Sequence, residues 1–555
     1  MRPILAKLGR WPHLAIAFTA TLCMALGAPP QGITWLIWLG FVPLMLVLRV
    51  TDRTRIGWAF LLGFAGGMCT GLVGFPWIGS TLQTFGDFSG PVATLGLVLF
   101  AAWIAVPFGL WAMAVVLGPS RGVMGVVWPI VSWIAIELWW PAVFPYTVVI
   151  GFAEVPEWIQ IAELGGVGAA EAQIVLVGVL AADGLLGLDV DRRASVVRLV
   201  VAAALPLLSY GLGAWRMSTI DAATAQARTV RFGIVQPNVP LLNGRSDNVR
   251  RLRMMSARAE DEGAQVIVWP EAGVYPYRVD RPITRDFDDP RRKIMFAHHR
   301  PTILGVASRE PGGEWEYNTV INLRVDGTVD GVFDKTILVP FGEYVPVVDP
   351  HWAISMVPSM AHNNAGDDPA RFVVQPGPAP DGTDPGPAFG AGPLVCYEDI
   401  FPGFARDVAT MPGGIEIFVN VTIDTWFGDT AEPWEHLALA QFRSVEHRIP
   451  MVRSVSAGVS SVIDASGRVV ASIPVANVED DEWDPPQRLV VDVALARNTE
   501  ADPTVFSTVG WLLPYGCRLW LLVWLARLGL GRYRRRRSSA TTPVRTASNT
   551  PHTTP

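Results

Sequence analysis

Charge, lysine and cysteine are all scarce in this 555-residue sequence. Charged residues make up 17% of the chain and hydrophobic residues 50%, and the mean hydropathy is +0.32. A soluble globular protein carries about 25% charged residues, so the surplus of apolar side chains indicates burial in a lipid bilayer. The net charge is −6, and no long basic face appears in the polar middle of the chain. The sequence therefore gives no indication of nucleic-acid binding.

The cysteines are few and unevenly placed: Cys23, Cys69, Cys396 and Cys517. Three of them fall in apolar runs, and only Cys396 lies in the polar region, which therefore cannot form an internal disulfide. The sequence contains no CxxC pair and no Cys/His cluster, which argues against a zinc site. We expect neither a metal nor a cofactor.

Lysine is the rarest charged residue, because only Lys7, Lys293 and Lys335 contribute to the 44 basic residues. A chain that uses arginine almost everywhere nevertheless has lysine at position 335. Arginine does not easily replace a compact ammonium group or a group with a shiftable pKa. Lys335 is therefore a candidate functional residue.

Apolar runs that could span a membrane occur seven times before the polar region and once after it. We predict them at about 12–29, 32–50, 56–78, 90–117, 123–150, 158–182, 196–215 and 507–528, because a spanning helix needs about 20 mainly apolar residues. The first run is short enough to suggest a signal peptide, but further spans follow at once and its cleavage signal is poor, so we interpret it as an uncleaved span.

The basic residues near these runs predict the orientation. With eight spans, the arginine-bearing segments all fall on one side of the membrane, which the positive-inside rule assigns to the cytoplasm. The chain then divides into a seven-helix region (1–220), an extracytoplasmic domain (228–498), a C-terminal span (505–530) and a basic, disordered cytoplasmic tail (531–555).

The polar domain alternates strands with helices, which is typical of a layered α/β fold. We predict strands at Val230–Val235, Gln265–Trp269, Ile303–Ala307, Thr319–Val325, Val329–Phe333, Pro393–Tyr397, Ile415–Asn420, Met451–Val455 and Val459–Ile463, and helices at Phe401–Ala409 and Glu432–His447. The Pro/Gly-rich loop 376–393 is predicted to be a surface insertion, with a lid over the site as the alternative.

Three reactive side chains stand at the ends of predicted strands or just after them: Glu271, Lys335 and Cys396. Layered α/β folds place their sites at such strand ends. Taken singly, each has a plain structural explanation, such as an exposed carboxylate or a buried small side chain. Together they form a set suited to acyl transfer, in which a thiol attacks, a carboxylate moves the proton, and an ammonium group and the Tyr397 N–H stabilise the oxyanion.

A Cys–His pair is the rival arrangement. His436 and His447 lie on a predicted helix, and His298 and His299 lie in a polar stretch. None of these histidines follows a strand end, so this arrangement is less favoured.

The segments around the three residues resemble the nitrilase superfamily and, more closely, the apolipoprotein N-acyltransferase family. The matching segments are Val235–Pro240, Trp269-Pro270-Glu271, Lys335 with Leu338–Pro346, Cys396-Tyr397-Glu398, and Asn420-Val421-Thr422 leading to Trp426-Phe427-Gly428. The resemblance covers nearly the whole chain. It implies a membrane bundle of about eight transmembrane helices with an extracytoplasmic, nitrilase-like αββα sandwich.

The same resemblance assigns roles to individual residues. It implies that Glu271 is the general base, Lys335 the oxyanion stabiliser and Cys396 the acyl-carrying nucleophile. It implies supporting or substrate-binding roles for three further residues, namely Glu343, Tyr397 and Glu398.

The implied reaction is the last step of lipoprotein maturation at the inner membrane. A membrane phospholipid donates its sn-1 acyl chain to Cys396, and the α-amine of the diacylglyceryl-cysteine of an apolipoprotein then accepts it. Two alternatives stay open at this point. One is a membrane-anchored nitrilase-type amidase acting on a small substrate, and the other is a non-enzymatic, transporter-like bundle with a degenerate outer domain.

Overall fold

A computed structural model describes residues 1–84, 86–239, 248–356, 361–379, 382–478, 483–496, 500 and 502–540. The first part of the chain is helical: α1 (Arg2–Lys7), α2 (Arg10–Gly27), α3 (Val42–Val50), α4 (Ile56–Gly74), α5 (Trp77–Thr84), α6 (Gly90–Leu117), α7 (Gly122–Glu137), α8 (Pro156–Ile159), α9 (Ala162–Gly187) and α10 (Arg192–Thr224). Among the described residues, α4, α6, α9 and α10 are long and apolar enough to cross a bilayer.

The predicted apolar runs all contain helix, although several of them differ in extent from the prediction. The run predicted at 32–50 forms a 3-10 helix, Thr34–Leu39, followed by α3. The run predicted at 123–150 was too long, because α7 ends at Glu137. The prolines Pro141 and Pro145 follow, and proline cannot donate the backbone hydrogen bond that a continued helix needs.

Small residues allow α4 and α6 to pack closely. Gly67 and Gly71 of α4 face Ala105 and Ala101 of α6, and a Cβ atom on Gly67 would lie 2.5 Å from the Ala105 Cα. Any larger residue would force the helices apart. Such small-residue contacts are the usual way in which helices associate where no hydrophobic effect drives them together.

The arginine-bearing segments of the bundle meet at one end of it. The N-terminal amine of Met1 lies 3.0 Å from the Asp189 carboxylate in the α9–α10 loop. Arg53, in the α3–α4 loop, donates to the Gly118 carbonyl in the α6–α7 loop over 2.6 Å. Arg49 at the end of α3 also donates to Asp183 of α9 and to the Gly125 carbonyl of α7, which brings these four predicted same-side segments together.

The second part of the chain is an α/β domain with a closing helix. Its elements are β1 (Thr229–Gln236), α11 (Asn248–Asp261), β2 (Val266–Val268), β3 (Arg278–Asp280), β4 (Thr302–Arg309), β5 (Glu316–Leu323), β6 (Val329–Asp334), α12 (Pro350–Met356), β7 (Asn363–Asn364), β8 (Phe372–Val374), β9 (Phe389–Val395), α13 (Pro402–Ala409), β10 (Ile417–Thr422), α14 (Glu432–His447), β11 (Met451–Val455), β12 (Ser460–Ile463), β13 (Val469–Ile473), β14 (Gln487–Ala494), α15 (Val505–Thr508) and α16 (Leu513–Ala540).

The strands form two sheets that pack face to face. The first has the order β14-β1-β2-β4-β5-β6, with β3 beside β4 and β7 beside β5, and the second has the order β13-β12-β11-β10-β9-β8. Their facing side chains share one core, which includes Phe232, Ile234, Val395, Val419 and Val421. Helix α11 covers the outer face of the first sheet, and α13 and α14 cover that of the second. The predicted α/β layering is therefore confirmed.

The bundle and the α/β domain share a continuous apolar core. Tyr397, Phe442 and Val445 of the domain belong to the same buried cluster as Trp133 and Ala162 of the bundle. The domain is thus packed onto the bundle through α14 and the segment after Cys396, and it is not merely tethered to it.

The loop predicted at 376–393 lies away from the candidate residues, and its last part from Phe389 onward is strand β9. Arg228 donates to the carbonyls of Pro385 and Pro387, and the Gly377 N–H donates to the Gln265 carbonyl. Arg228 and Gln265 precede β1 and β2, whereas Glu271 comes after β2. The described part of the loop therefore lies at the opposite edge of the sheet, which favours the surface insertion over the lid.

The last helix is longer than predicted. Helix α16 continues to Ala540, past the predicted end at 530. The added stretch is rich in arginine, which is a good helix former.

Candidate active site

The sandwich brings together strand ends from both sheets. Glu271 follows β2 and Lys335 follows β6 in the first sheet, while Cys396 follows β9 in the second. Glu271 reaches this position because β4 has glycine beside it, and a Cβ atom on Gly305 would lie 2.6 Å from the Glu271 Cα. The structure therefore assembles the three predicted residues at one edge of the sandwich.

Lys335 is enclosed between two carboxylates. Its side chain is 1% exposed, and its Nζ lies 2.7 Å from the Glu343 Oε2 and 3.8 Å from the Glu271 Oε1. Burial alone lowers the pKa of Lys335, but the Glu343 and Glu271 carboxylates outweigh this effect and hold the pKa above its ordinary value. Lys335 is thus a fixed cation at neutral pH.

Asn318 completes this network, and no sequence pattern had indicated it. Its side-chain amide donates to the Glu271 Oε1 and, over 3.0 Å, to the Glu343 Oε1. The Lys335 N–H also donates to the Asn318 carbonyl over 2.8 Å, which holds β5 and the start of the Lys335 segment in register. Asn318 therefore positions both carboxylates relative to the lysine.

Glu271 is the candidate proton acceptor for the Cys396 thiol. Burial raises the pKa of Glu271, while the Lys335 ammonium and hydrogen bonds from Asn318 and Cys396 oppose this shift. Its Oε2 is buried and has no hydrogen-bond partner among the described residues. One carboxylate oxygen is therefore anchored, and the other has capacity for a proton.

Cys396 sits in a strained turn. Its φ of +50° lies in the left-handed region, which is uncommon for residues other than glycine and is often found at functional sites. Burial and the Glu271 carboxylate raise the pKa of the Cys396 thiol well above its ordinary value, and the Lys335 ammonium opposes them. The resting sulfur is therefore a thiol, and attack requires a base to remove its proton.

Glu398 fastens this turn to the segment after Lys335. Its Oε1 accepts hydrogen bonds from the backbone N–H groups of Thr336 and Ile337, at 2.7 and 3.2 Å, and its Oε2 accepts from the Val395 N–H at 2.8 Å. Burial raises its pKa to about 7. The carboxylate thus links the nucleophile segment to the lysine segment across the two sheets.

Tyr397 points the other way, into the bundle. Its hydroxyl donates to the Val143 carbonyl in the segment after α7, and its ring packs edge-on against Phe144 and Phe401, with centroids 5.5 and 4.8 Å away. The residue next to the thiol is therefore anchored to the membrane region.

A cluster of buried charged side chains packs against the turn that begins at Cys396. His436 contacts Asp399 through Nε2 at 2.8 Å and Asp424 through Nδ1 at 3.1 Å, and Arg453 forms a second ion pair with Asp399. Burial alone lowers the pKa of His436, but Asp399 and the nearby Asp424 raise it to about 10. With both ring nitrogens bound to carboxylates, His436 acts here as a structural cation.

The other predicted histidines are also placed away from the thiol chemistry. His447 contacts the Ser507 hydroxyl at 2.9 Å. His298 is fully buried beside α11, in the first sheet's outer layer. The structure therefore groups Cys396 with Glu271, Lys335 and Glu343 rather than with a histidine.

A half-buried thiol, a buried carboxylate and a buried lysine at the joined strand ends of a two-sheet sandwich are the arrangement of the carbon-nitrogen hydrolase class of enzymes. The family model described as carbon-nitrogen hydrolase matches residues 231–480, which contain all of these side chains. The family model described as the apolipoprotein N-acyltransferase N-terminal domain matches residues 20–180, within the helical bundle.

Whole-length relatives agree with both matches. The apolipoprotein N-acyltransferase of Allorhizobium ampelinum is 29% identical over 494 residues, which cover 84% of this chain and 88% of the relative. That of Geobacter metallireducens is 27% identical, covering 83% of this chain and 87% of the relative. The apolipoprotein N-acyltransferase of Agrobacterium fabrum is 29% identical, and the match covers 85% of this chain and 89% of the relative. Over most of its length the chain is therefore similar to apolipoprotein N-acyltransferases.

Proposed function

We propose that this protein N-acylates the N-terminal diacylglyceryl-cysteine of lipoproteins and takes the acyl chain from a membrane phospholipid. The observation that carries the proposal is the joint position of Cys396 beside a Glu271–Lys335–Glu343 network on one side and the bundle on the other. The similarity to apolipoprotein N-acyltransferases supports this reaction class.

In the first step, the Glu271 carboxylate takes the thiol proton while the Cys396 sulfur attacks the acyl ester carbonyl of the phospholipid. The Lys335 ammonium stabilises the oxyanion, an interaction worth about 3–4 kcal/mol per donor in other acyl-transfer sites. The intermediate then expels the glycerol oxygen, which receives the proton from Glu271. The products are a thioester on Cys396 and a lysophospholipid.

In the second step, the α-amine of the diacylglyceryl-cysteine attacks the thioester carbonyl. Glu271 takes a proton from the amine and returns it to the leaving sulfur. An amide bond forms, the thioester breaks, and the free thiol is restored. No oxidant, reductant or cofactor is required by this balance of atoms and electrons.

Glu343 and Glu398 have supporting roles in this scheme. Glu343 holds the Lys335 ammonium at 2.7 Å and keeps it charged, while Glu398 fixes the Cys396 turn through backbone N–H groups. Tyr397 ties the nucleophile to the bundle, so that an acyl chain arriving from the bilayer meets the sulfur at a fixed place. Exclusion of water by the apolar surroundings would protect the thioester.

The proposal includes a topology of eight spans at the inner membrane, with both termini in the cytoplasm and the α/β domain outside. The contacts between Met1 and Asp189 and between Arg53 and Gly118 support it, because they gather the basic loops at one end. Both substrates are held in the outer leaflet, so the active site has to face that side.

The topology can be tested with two single-cysteine probes in exposed turns. Asp326→Cys lies in the β5–β6 hairpin, and Asp189→Cys lies in the α9–α10 loop. In spheroplasts, a membrane-impermeant maleimide should label Asp326→Cys, and it should label Asp189→Cys only after permeabilisation. The reverse pattern would contradict the topology.

The reaction is tested by incubating the purified protein with phospholipid vesicles and a diacylglyceryl-cysteine peptide. Mass spectrometry should detect the N-acylated peptide together with an equal amount of lysophospholipid, and Cys396→Ala should yield neither. A membrane-anchored amidase would instead release ammonia from small amides and leave the peptide unmodified. That outcome would replace the proposal with the amidase alternative.

A further inference from the structure

A cavity whose wall does not include Cys396 lies where the bundle meets the α/β domain and α16. It has a volume of about 540 Å³. Its apolar wall includes Ile104, Pro107 and Phe108 of α6, and its polar wall includes Arg406, Arg443 and Arg518. Its volume falls within the usual range for small-molecule sites.

Polar atoms in this cavity lack partners. Among the described residues, the Arg443 Nε, the Glu446 Oε2, the Arg518 Nε and the Trp140 Nε1 are buried and have no hydrogen-bond partner, and all four side chains line the cavity. Buried polar groups are nearly always hydrogen-bonded. The wall is therefore built to meet a polar group, although the cavity is largely apolar.

Among the described residues, two of the three arginines in the cavity wall form ion pairs with carboxylates, and the third does not. Arg443 lies 2.9 Å from Glu446, and Arg406 lies 3.3 Å from Asp407. In the described parts of the chain, Arg518 forms no ion pair. Its Nη2 donates to the Leu138 carbonyl over 2.6 Å, which leaves its positive charge without a counterion.

One other acidic side chain, Glu137, lines the cavity. Its Oε2 is buried and has no hydrogen-bond partner among the described residues, so this oxygen does not pair with Arg518. An unpaired guanidinium beside apolar surface is costly unless an anion meets it.

The position of Arg518 along α16 indicates what kind of anion this arginine would bind. Arg518 lies five residues into α16, about 7.5 Å along the helix from Leu513 at 1.5 Å per residue. Helix α16 begins on the side of the α/β domain, and the rings of Trp139 and Tyr515 lie 5.7 and 5.0 Å from the guanidinium. Aromatic rings and arginine together are typical of the level of lipid head groups.

We propose that this cavity binds an anionic phospholipid, with the phosphate at Arg518 and an acyl chain along the apolar wall of α6. The site is distinct from the acyl-donor position at Cys396, and occupancy needs no turnover. A bidentate contact from arginine to phosphate is among the stronger charge-assisted hydrogen bonds. The bound lipid would fill the seam between α16, the bundle and the domain.

The test uses the full-length protein with Cys396→Ala, so that no lipid is consumed. Native mass spectrometry of the protein in detergent with dioleoyl-phosphatidylglycerol should show one bound lipid that Arg518→Ala weakens about tenfold, since loss of one charge-assisted contact corresponds to about one decade in Kd. Arg518→Lys should retain part of the binding, and Arg527→Ala, an exposed arginine on the same helix, should retain all of it.

A second variant keeps the proposal testable if Arg518→Ala does not fold. Gly403 lines the cavity, and a Cβ atom there would meet no heavy atom within 4 Å, so Gly403→Trp should fill the space without moving Arg518. This variant should also lose one bound lipid. Equal lipid binding by Arg518→Ala, Gly403→Trp and the parent would overturn the proposal.

Two further ligands test whether the site binds a phospholipid or a free phosphate ion. Dioleoylglycerol, which lacks a phosphate, should not occupy the site, and inorganic phosphate should not displace the phospholipid. Displacement by inorganic phosphate would show a site for a free anion and contradict the lipid assignment. Lipid binding is measured without catalysis. A negative binding result therefore does not bear on the acyl-transfer proposal, and a negative acyl-transfer result does not bear on this lipid site.

Discussion

The two sides of Cys396 differ in composition and in what holds them. On the domain side, Asn318 and Lys335 hold the Glu271 and Glu343 carboxylates through hydrogen bonds and ion pairs of fixed geometry. On the bundle side, Tyr397 is surrounded by aromatic and aliphatic side chains that continue into the membrane core.

This contrast separates two tasks. The polar side is suited to moving a proton and stabilising an oxyanion, which any substrate of this enzyme class requires. The side chains around Tyr397 are aromatic and aliphatic, and they are continuous with the helices that a lipid would pass. We therefore expect changes on the polar side to lower the rate for every substrate, and changes on the bundle side to affect mainly the use of lipid.

The largest effect is expected from Lys335→Arg. The larger, planar guanidinium keeps the charge but cannot occupy the compact position between Glu343 and Glu271. We expect kcat/KM for acyl transfer to fall about 10²–10³-fold, the usual loss when one oxyanion donor is removed.

Lys293→Arg is the matched control, because Lys293 is the other lysine of the α/β domain and is exposed. It should retain the parent activity. A near-normal rate for Lys335→Arg would refute the role of a compact ammonium on the polar side.

A smaller effect is expected from Asn318→Ala. The Asn318 amide stabilises ionised Glu271 and so lowers its pKa, which means that its removal raises this pKa further. Since Glu271 has to be ionised to act as the base, the acid limb of the kcat/KM profile should move to higher pH. At neutral pH the rate should fall, because a smaller share of Glu271 is ionised.

Asn322→Ala is the control for this variant. Asn322 lies on the same strand and is 2% exposed, but its amide donates to the Val373 carbonyl instead. It should leave the acid limb in place. An unchanged acid limb in Asn318→Ala would mean that Asn318 does not tune Glu271.

The smallest effect is expected from Tyr397→Phe. This change removes the hydrogen bond to the Val143 carbonyl, a contact worth about 1 kcal/mol, and leaves the ring packing intact. We expect KM for the phospholipid donor to rise about fivefold at nearly unchanged kcat. Alkylation of the thiol by a small soluble reagent should keep its rate. A lower kcat with an unchanged KM would contradict the claim that the bundle side acts mainly on the use of lipid.

The sequence predicted the strand ends well because their signals are local. Buried apolar runs ended by Pro270, or followed by a reactive residue such as Cys396, could be recognised without knowing the fold. Strand β9 was predicted to reach Tyr397 but ends at Val395, because the chain turns at Cys396 into a 3-10 helix. A positive φ at a cysteine has no sequence signal.

Partners distant in sequence could not be predicted. Asn318 is an ordinary polar residue on a strand, and it lies between two glutamates only because β5 pairs with β4 on one side and β6 on the other. The short strands β3, β7 and β8 were missed because they gain their stability from neighbours rather than from their own pattern. The segment Asn243-Gly244-Arg245, where the chain departs from the family pattern, lies outside the described residues.

The central claim is that Cys396 carries an acyl chain, and the intact mass of the protein purified from membranes tests it most directly. We predict a mass increase of one fatty acyl group that hydroxylamine removes, that a diacylglyceryl-cysteine peptide discharges, and that Cys396→Ala lacks. N-acylation of the peptide by Cys396→Ala at the parent rate, with no adduct on either protein, would contradict the account.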